Sequence, residues 1–313
     1  MLVIHPGALG DVLQAVPALR ALGSDARVVF CGQPRLGELL CGVGAVAESL
    51  SFDGFGLEAL FTDEPIPDQL TERIAGFRTI VSWFGSRDET YCGRLHSVMP
   101  RAEAPSAGRP GCVVAPPVPG GSNPVWQHLL DTLQMSDHPG LHGPLDVPAS
   151  WRVQARHALG DLGLSSARSL LVVHPGAGGR DKVTAPDIFA TAIAEAMNGG
   201  IDILIHEGPA DRGAADRFAK VLGAPARRLA GPALPLLAGV LSLARAYLGG
   251  DSGVSHLAAA VGARGAILSP PDARQRWAPW SPTTTVVPLE GDGAAAASAT
   301  AAALRDALIR TAG

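Results

Sequence analysis

The sequence predicts an α/β protein of two domains, each a doubly wound parallel sheet. Three observations carry that expectation: a length of 313 residues, apolar runs alternating with helical spacing through the first half, and a restart of the same alternation at residue 169. A single hydrophobic core stops growing near roughly 250–300 residues, so the length alone argues for a division. Hydrophobic residues make up 47% and charged residues 17% of the chain, enough apolar side chain to fill two cores.

Residues 2–5 (LVIH), 27–31 (RVVFC) and 79–83 (TIVSW) are short apolar runs bounded by turn or helix signals, and they read as buried parallel strands. Residues 12–22 and 69–75 have helical spacing, which completes the βαβ alternation of a Rossmann-like half. Pro17 removes a backbone bond and predicts a kink or a short irregular turn in the first helix. Residues 102–124 are rich in Pro, Gly and Ser, after which 125–133 and 151–162 turn helical again. The second half restarts at 169–174 (SLLVVH), and 201–206 (IDILIH), 245–249 (RAYLG) and 265–268 (GAIL) continue a second Rossmann-like sheet. Residues 294–311 are alanine-rich and read as helix. The expected organisation is one domain over 1–150, a second over 151–292, and a terminal helix within 293–313 packing back across the junction.

An internal echo supports two similar halves, because VIHPGALGD at 3–11 is matched by VVHPGAGGRDK at 172–182. Each places a glycine-containing turn directly after a strand. Ligands of open α/β sheets sit beyond the carboxyl ends of the strands, so the two turns are expected to face an interdomain cleft.

The formal net charge is −4 and the Lys and Arg residues are scattered, which argues against a nucleic-acid partner. Cys31, Cys41, Cys92 and Cys112 form no CxxC pair and have no His at zinc-ligand spacing, so neither a metal site nor a disulfide framework is indicated. No basic segment is followed by a long apolar run, and no window approaches 18 apolar residues. The expected setting is the cytoplasm. Peripheral binding at the cytoplasmic face of the inner membrane stays open, since a lipid substrate needs no anchor on the enzyme.

Three glycine-rich turns carry the chemistry. In the first, Gly7-Ala8-Leu9-Gly10-Asp11, glycines let a ligand approach the backbone, and Asp11 can act as a general base or simply cap the helix it opens. From this motif alone the cap is the favoured reading. In the second, His174-Pro175-Gly176-Ala177-Gly178-Gly179-Arg180-Asp181-Lys182, the lysine is able to reach a phosphate or a departing anion. Its alternative is a solvated surface lysine, and His174 reads as a hydrogen-bonded strand-end residue. The segment lacks the order of a P-loop and lacks GxGxxG. The third, GGDSGVSHLAAAVG at 249–262, is a strand end, a polar turn and a helix whose first amides and dipole favour an anion. There Ser252 can add a hydroxyl and Asp251 can accept from sugar hydroxyls, although both are also good helix caps.

Taken together and in order, GDVLQAVPALRAL, HPGAGGRDK and GGDSGVSHLAAAVG resemble the glycosyltransferase family 9 heptosyltransferases, and the Trp277-Ala278-Pro279-Trp280 segment resembles the stretch after that family's last strands. The resemblance implies a GT-B fold and transfer of a sugar, heptose above all, from a nucleotide diphosphate such as ADP-heptose to a lipopolysaccharide-core-like glycan or glycolipid. It implies inversion by direct displacement with no cofactor and no metal. Asp11 would deprotonate the acceptor hydroxyl and Lys182 would stabilise the leaving diphosphate. Gly178, Gly179 and the amides of Ser252, Gly253 and Val254 would bind phosphate, Asp251 would meet the donor sugar, and His256 would support that loop. Glu207 and Asp211 would lie toward the nucleotide ribose, with Gly10 on the acceptor side. Apart from the resemblance, Arg87, Arg94 and Arg101 in the loops of the first half are able to meet an anionic lipid-linked sugar or to form a solvated basic face. Two departures from the family pattern stand out: Lys182 is followed by Val183-Thr184-Ala185-Pro186 where Trp-Pro is frequent, and the first turn opens His-Pro-Gly.

Two other functions fit the same architecture. A sugar-nucleotide 2-epimerase-like enzyme would turn over donor alone, and a non-catalytic sugar-nucleotide-binding protein would bind without turnover. A transferase needs both substrates.

Overall fold

Parallel strands need a crossover connection, usually a helix, and the alternation of strands with helices supplies one: among the described residues every strand pairing is parallel. The computed structural model describes residues 1–99, 111–164, 169–179, 183–197, 200–223, 226–290 and 293–309. It divides into two compact units, Met1–Leu141 and His142–Gly313.

In the first unit, strands β1 (Leu2–Ile4), β2 (Val29–Gly32), β3 (Glu48–Ser51), β4 (Ile80–Ser82) and β5 (Cys112–Val114) form one sheet in the order β3-β2-β1-β4-β5. Its helices are α1 (Leu9–Gln14), α2 (Val16–Gly23), α3 (Pro34–Gly42), α4 (Asp68–Ala75), α5 (Glu89–Val98) and α6 (Val125–Thr132). Of the kink or short irregular turn expected at Pro17, the structure has the turn, a one-residue break at Ala15 between two helices. Ala15 closes α1 and opens α2, because Pro17 has no N–H for the Leu13 carbonyl, while its fixed φ suits the first turn of a new helix. β3 (ESLS) escapes sequence reading because it is an edge strand whose two ends are exposed, with no buried face to impose a pattern.

In the second unit, β6 (Ser169–His174), β7 (Ile201–Glu207), β8 (Arg227–Ala230), β9 (Ala246–Gly250), β10 (Gly265–Ser269) and β11 (Thr284–Pro288) form a sheet in the order β11-β10-β9-β6-β7-β8. Helices α7 (Ala149–Asp161), α8 (Pro186–Ala196), α9 (Arg212–Leu222), α10 (Leu234–Leu243), α11 (Gly253–Ala260), α12 (Pro271–Arg274) and α13 (Gly293–Ile309) surround it. Helix α7 packs on α10, where Gly239 lets the Trp151 backbone approach. The alanine-rich α13 lies against α8 and β10, burying Ala297, Ala301 and Leu304. Among the described residues no helix is long and apolar enough to cross a membrane.

Strand order fixes where ligands can enter. From β1 the chain winds outward through β2 and β3, then returns to lay β4 and β5 on the other side. The loops after β1 and β4 therefore diverge and leave a crevice at the carboxyl ends of those strands. The second sheet repeats this arrangement between β6 and β9. The three glycine-rich turns start at three of these four strand ends: 7–11 after β1, 175–179 after β6, and 251–253 after β9.

Candidate functional site

At the first crevice β1 is followed directly by His5, which is 2% exposed and lies edge-on to Trp83, the residue after β4, with ring centroids 5.8 Å apart. Burial pushes the His5 imidazole down to about 4, so the ring is neutral. Its Nδ1 accepts from the Gly7 N–H at 3.3 Å. A Cβ on Gly7 would run into both the His5 ring and the Asp11 Cβ, so glycine is what allows the turn to fold down onto them. Asp11 stands in the first turn of α1 and accepts from the Ala8 N–H at 3.0 Å. That bond is half of a capping box, so the cap reading of Asp11 has a physical basis, and a base role must be additional to it. Gly10 is the residue before Asp11 in α1, and Arg87 is exposed in the loop between β4 and α5. Arg94, the other arginine of that region in the described residues, donates to the Ala59 and Glu64 carbonyls, and Arg101 lies outside the described residues.

At the second crevice the β9 end supplies a buried polar cluster. Asp251 is 8% exposed, and Ser252 and His256 are also buried. Ser252 is the N-cap of α11, its hydroxyl accepting from the Ser255 N–H at 3.2 Å. Ser255 Oγ in turn meets Tyr247 Oη at 2.8 Å and donates to the Gly250 carbonyl. The turn is thus tied from below to its own strand, leaving the first-turn amides of Gly253 and Val254 without an intrahelical acceptor, as at any helix start. An anion placed there would meet those amides and the positive end of the helix dipole.

The ends of β6 and β7 add a histidine pair that the sequence does not flag. His174 and His206 are 2% and 3% exposed, and their Nδ1 atoms are 3.0 Å apart. Two nitrogens at that distance need one proton between them. The His174 Nδ1 also lies 3.4 Å from the His206 carbonyl and its Nε2 3.9 Å from Asp211 Oδ2, so the shared proton has two places: on His174 Nδ1, directed at His206, or on His206 Nδ1, with His174 then protonated on Nε2 facing the carboxylate. Asp211 also accepts from the Gly208 N–H at 3.2 Å, and a Cβ on Gly176 would collide with its carboxylate. His174 is therefore the hydrogen-bonded strand-end residue expected from sequence. Glu207 is buried and paired with Arg228 at 3.0 Å and with Arg212 at 3.7 Å. Both carboxylates are engaged, so a ribose hydroxyl would share acceptors with existing partners. Gly178 and Gly179 are exposed at the tip of the 175–179 turn, and Lys182 lies outside the described residues.

The buried histidines make stability pH-dependent. Burial pushes His206 down to about 3, with His174 beside it adding to the effect, and burial lowers His174 despite Asp211. The unfolded chain then binds protons that the folded chain refuses, so the stability held above about pH 6.5 is lost as pH falls toward those folded values. Unfolding midpoints in denaturant are expected to decline from pH 7 to pH 5, by up to about 1.4 kcal/mol per pH unit for each fully shifted histidine. In the His206→Phe variant the decline should be shallower; an equally steep one would show that other groups cause it.

All four cysteines are free thiols. Among the described residues no group of three or more His, Cys, Asp or Glu is placed to hold a metal ion.

Residues 129–302 match the family model for glycosyltransferase family 9 (heptosyltransferase). The chain belongs to that family. It is thus a glycosyltransferase, and its two parallel-sheet α/β units are those of the GT-B type. Solved structures agree in fold over nearly the whole length. A glycosyltransferase family 9 protein from Veillonella parvula is 16% identical with a TM-score of 0.76, the match covering 99% of this chain and 97% of that one. The E. coli ADP-heptose lps heptosyltransferase II is 15% identical with a TM-score of 0.70, covering 98% and 97%. The E. coli heptosyltransferase WaaC with ADP is 17% identical with a TM-score of 0.64, covering 97% of each chain. A search of curated proteins finds no match. The family 9 match takes in the turns after β6 and β9 but not Asp11, so the first crevice stands on its own geometry and motif.

His5, His206, Ser255, Tyr247 and Gln33, whose side-chain amide donates to the Pro6 and Gly7 carbonyls, are site-building residues that sequence reasoning passes over. The signal for His5 was present, because His-Pro-Gly occurs after the first strand of both sheets.

Proposed function

We propose that this glycosyltransferase moves heptose from ADP-heptose to a lipopolysaccharide-core-like glycan, inverting the anomeric centre in one displacement without a metal. The observation that carries the reading is the Asp251–Ser252 turn, buried at the switch between β6 and β9 and opening α11. The relatives' descriptions as an ADP-heptose transferase and as a heptosyltransferase with ADP support the donor.

In the displacement, the acceptor hydroxyl gives its proton to the Asp11 carboxylate as its oxygen bonds to the anomeric carbon. The bond from that carbon to the diphosphate oxygen breaks, and its electron pair leaves with ADP. We assign stabilisation of that departing charge to Lys182, to Gly178 and Gly179, and to the Ser252, Gly253 and Val254 amides. Asp251 accepts from heptose hydroxyls and His256 supports its loop. Glu207 and Asp211 serve the ribose side; Gly10 and Arg87 serve the acceptor. The reaction belongs in the cytoplasm, at the inner membrane's face where the acceptor is lipid-linked.

Calorimetric titration with ADP, UDP, GDP and ADP-heptose tests the donor. Selective binding of the adenine nucleotides is the expected result. Preference for UDP or GDP would remove heptose from the proposal, and binding of none would remove the donor site.

A further inference from the structure

In the turn that leads to Asp11, each backbone polar group of residues 6–8 is held. The Gly7 N–H goes to His5 Nδ1 and the Ala8 N–H to Asp11, while the Ala8 carbonyl takes the Val12 N–H. Gln33, from the start of the next βα connection, spans the remaining two: its Nε2 donates to the Pro6 carbonyl at 3.2 Å and the Gly7 carbonyl at 3.0 Å. The Gln33 Oε1 accepts from Arg35 Nε at 3.2 Å, which fixes the amide with its donor end toward the turn.

His5 is an odd choice for packing alone. Because its Nδ1 accepts, its proton sits on Nε2, and that atom is buried with no hydrogen-bond partner among the described residues. A leucine or phenylalanine would fill the place beside Trp83 without a stranded N–H.

We propose that His5 and Gln33 are positioning residues that hold the 5–8 turn and, through the Ala8 N–H, aim the carboxylate of Asp11. The inference rests on Asp11 being the base. His5 fixes the turn from below through Gly7, Gln33 fixes it from the side, and Asp11 is the third corner.

His5→Leu, His5→Asn and Gln33→Leu are compared with wild type by three readouts: amide exchange at Ala8, thermal midpoint, and turnover of ADP-heptose with a lipopolysaccharide-core oligosaccharide. His5→Leu is expected to keep or raise the midpoint, to speed Ala8 exchange, and to lower kcat about tenfold with the donor KM unchanged, as slight misplacement of a catalytic group does. His5→Asn can present Oδ1 where Nδ1 stands and should restore most of the loss. Gln33→Leu should reproduce the exchange and kcat effects without touching the strand. Unchanged Ala8 exchange in both leucine variants overturns the proposal, as does a kcat that falls only alongside the midpoint and is not rescued by asparagine. The two readings separate cleanly. An active Asp11→Ala enzyme with fast Ala8 exchange in the His5 variant would remove the base but keep the turn assignment. An inactive Asp11→Ala enzyme beside a fully active His5→Leu enzyme would do the reverse.

Discussion

Asp11→Asn is expected to abolish transfer while leaving the fold and donor affinity intact. The argument turns on separating two jobs of one carboxylate. As a cap, Asp11 accepts the Ala8 N–H, and an asparagine Oδ1 can accept the same bond. As a base it must take a proton from the acceptor hydroxyl, which an amide cannot do. A positioned general base contributes about 10²–10⁴ in rate, so the asparagine variant should lose turnover on that scale with its melting midpoint close to wild type. Asp11→Ala loses both jobs, with the same drop in turnover plus about 0.5–2 kcal/mol of stability, the usual cost of a lost cap. Calorimetry with ADP-heptose should give both variants wild-type affinity, because the donor contacts are assigned to the second unit. A fully active asparagine variant would leave Asp11 as a cap and the acceptor without a base. Activity lost in proportion to stability across the two variants would show that the helix start, and not proton transfer, limits the reaction.

The strands most legible in the sequence are those buried on both faces. β1, β6, β9 and β10 are uninterrupted apolar or small-residue runs, since each is covered by helices on both sides. β8 (RRLA) and β3 (ESLS) sit near or at sheet edges, where solvent tolerates Arg and Glu and no periodicity survives. The same distinction divides the site. Gly-Asp-Ser at 250–252 is legible because a helix start next to a strand end needs those residue types, whatever the ligand. The pairing of His174 with His206 is not legible: the residues come from different strands, and only the parallel register of β6 on β7 brings their rings together. Gln33 is hidden for the same reason, as its two carbonyl contacts lie on the preceding turn of the chain. What the sequence leaves out is in each case a contact made across neighbouring strands, where residue type alone carries no address.

Asp251→Ala should weaken ADP-heptose binding far more than it weakens ADP binding. Asp251 is buried at the strand end, and Ser252 beside it opens the helix. If Asp251 accepts from heptose hydroxyls, its loss removes charge-assisted hydrogen bonds worth about 1.5–3 kcal/mol, a factor of roughly ten to a hundred and fifty in Kd. ADP alone has no heptose, so its affinity should change by less than about threefold. Ser252→Ala provides the contrast. It removes the hydroxyl that caps α11 and so should cost about 0.5–2 kcal/mol of stability. Its effect on binding should be equal for ADP and ADP-heptose, because the amides it organises would meet the diphosphate that both ligands share. A sugar-specific loss at Asp251 together with a sugar-independent loss at Ser252 would divide the turn into a heptose-reading residue and a phosphate-binding helix start. Equal losses for both ligands at Asp251 would instead make that carboxylate a support for the turn and remove it as the residue that reads the sugar.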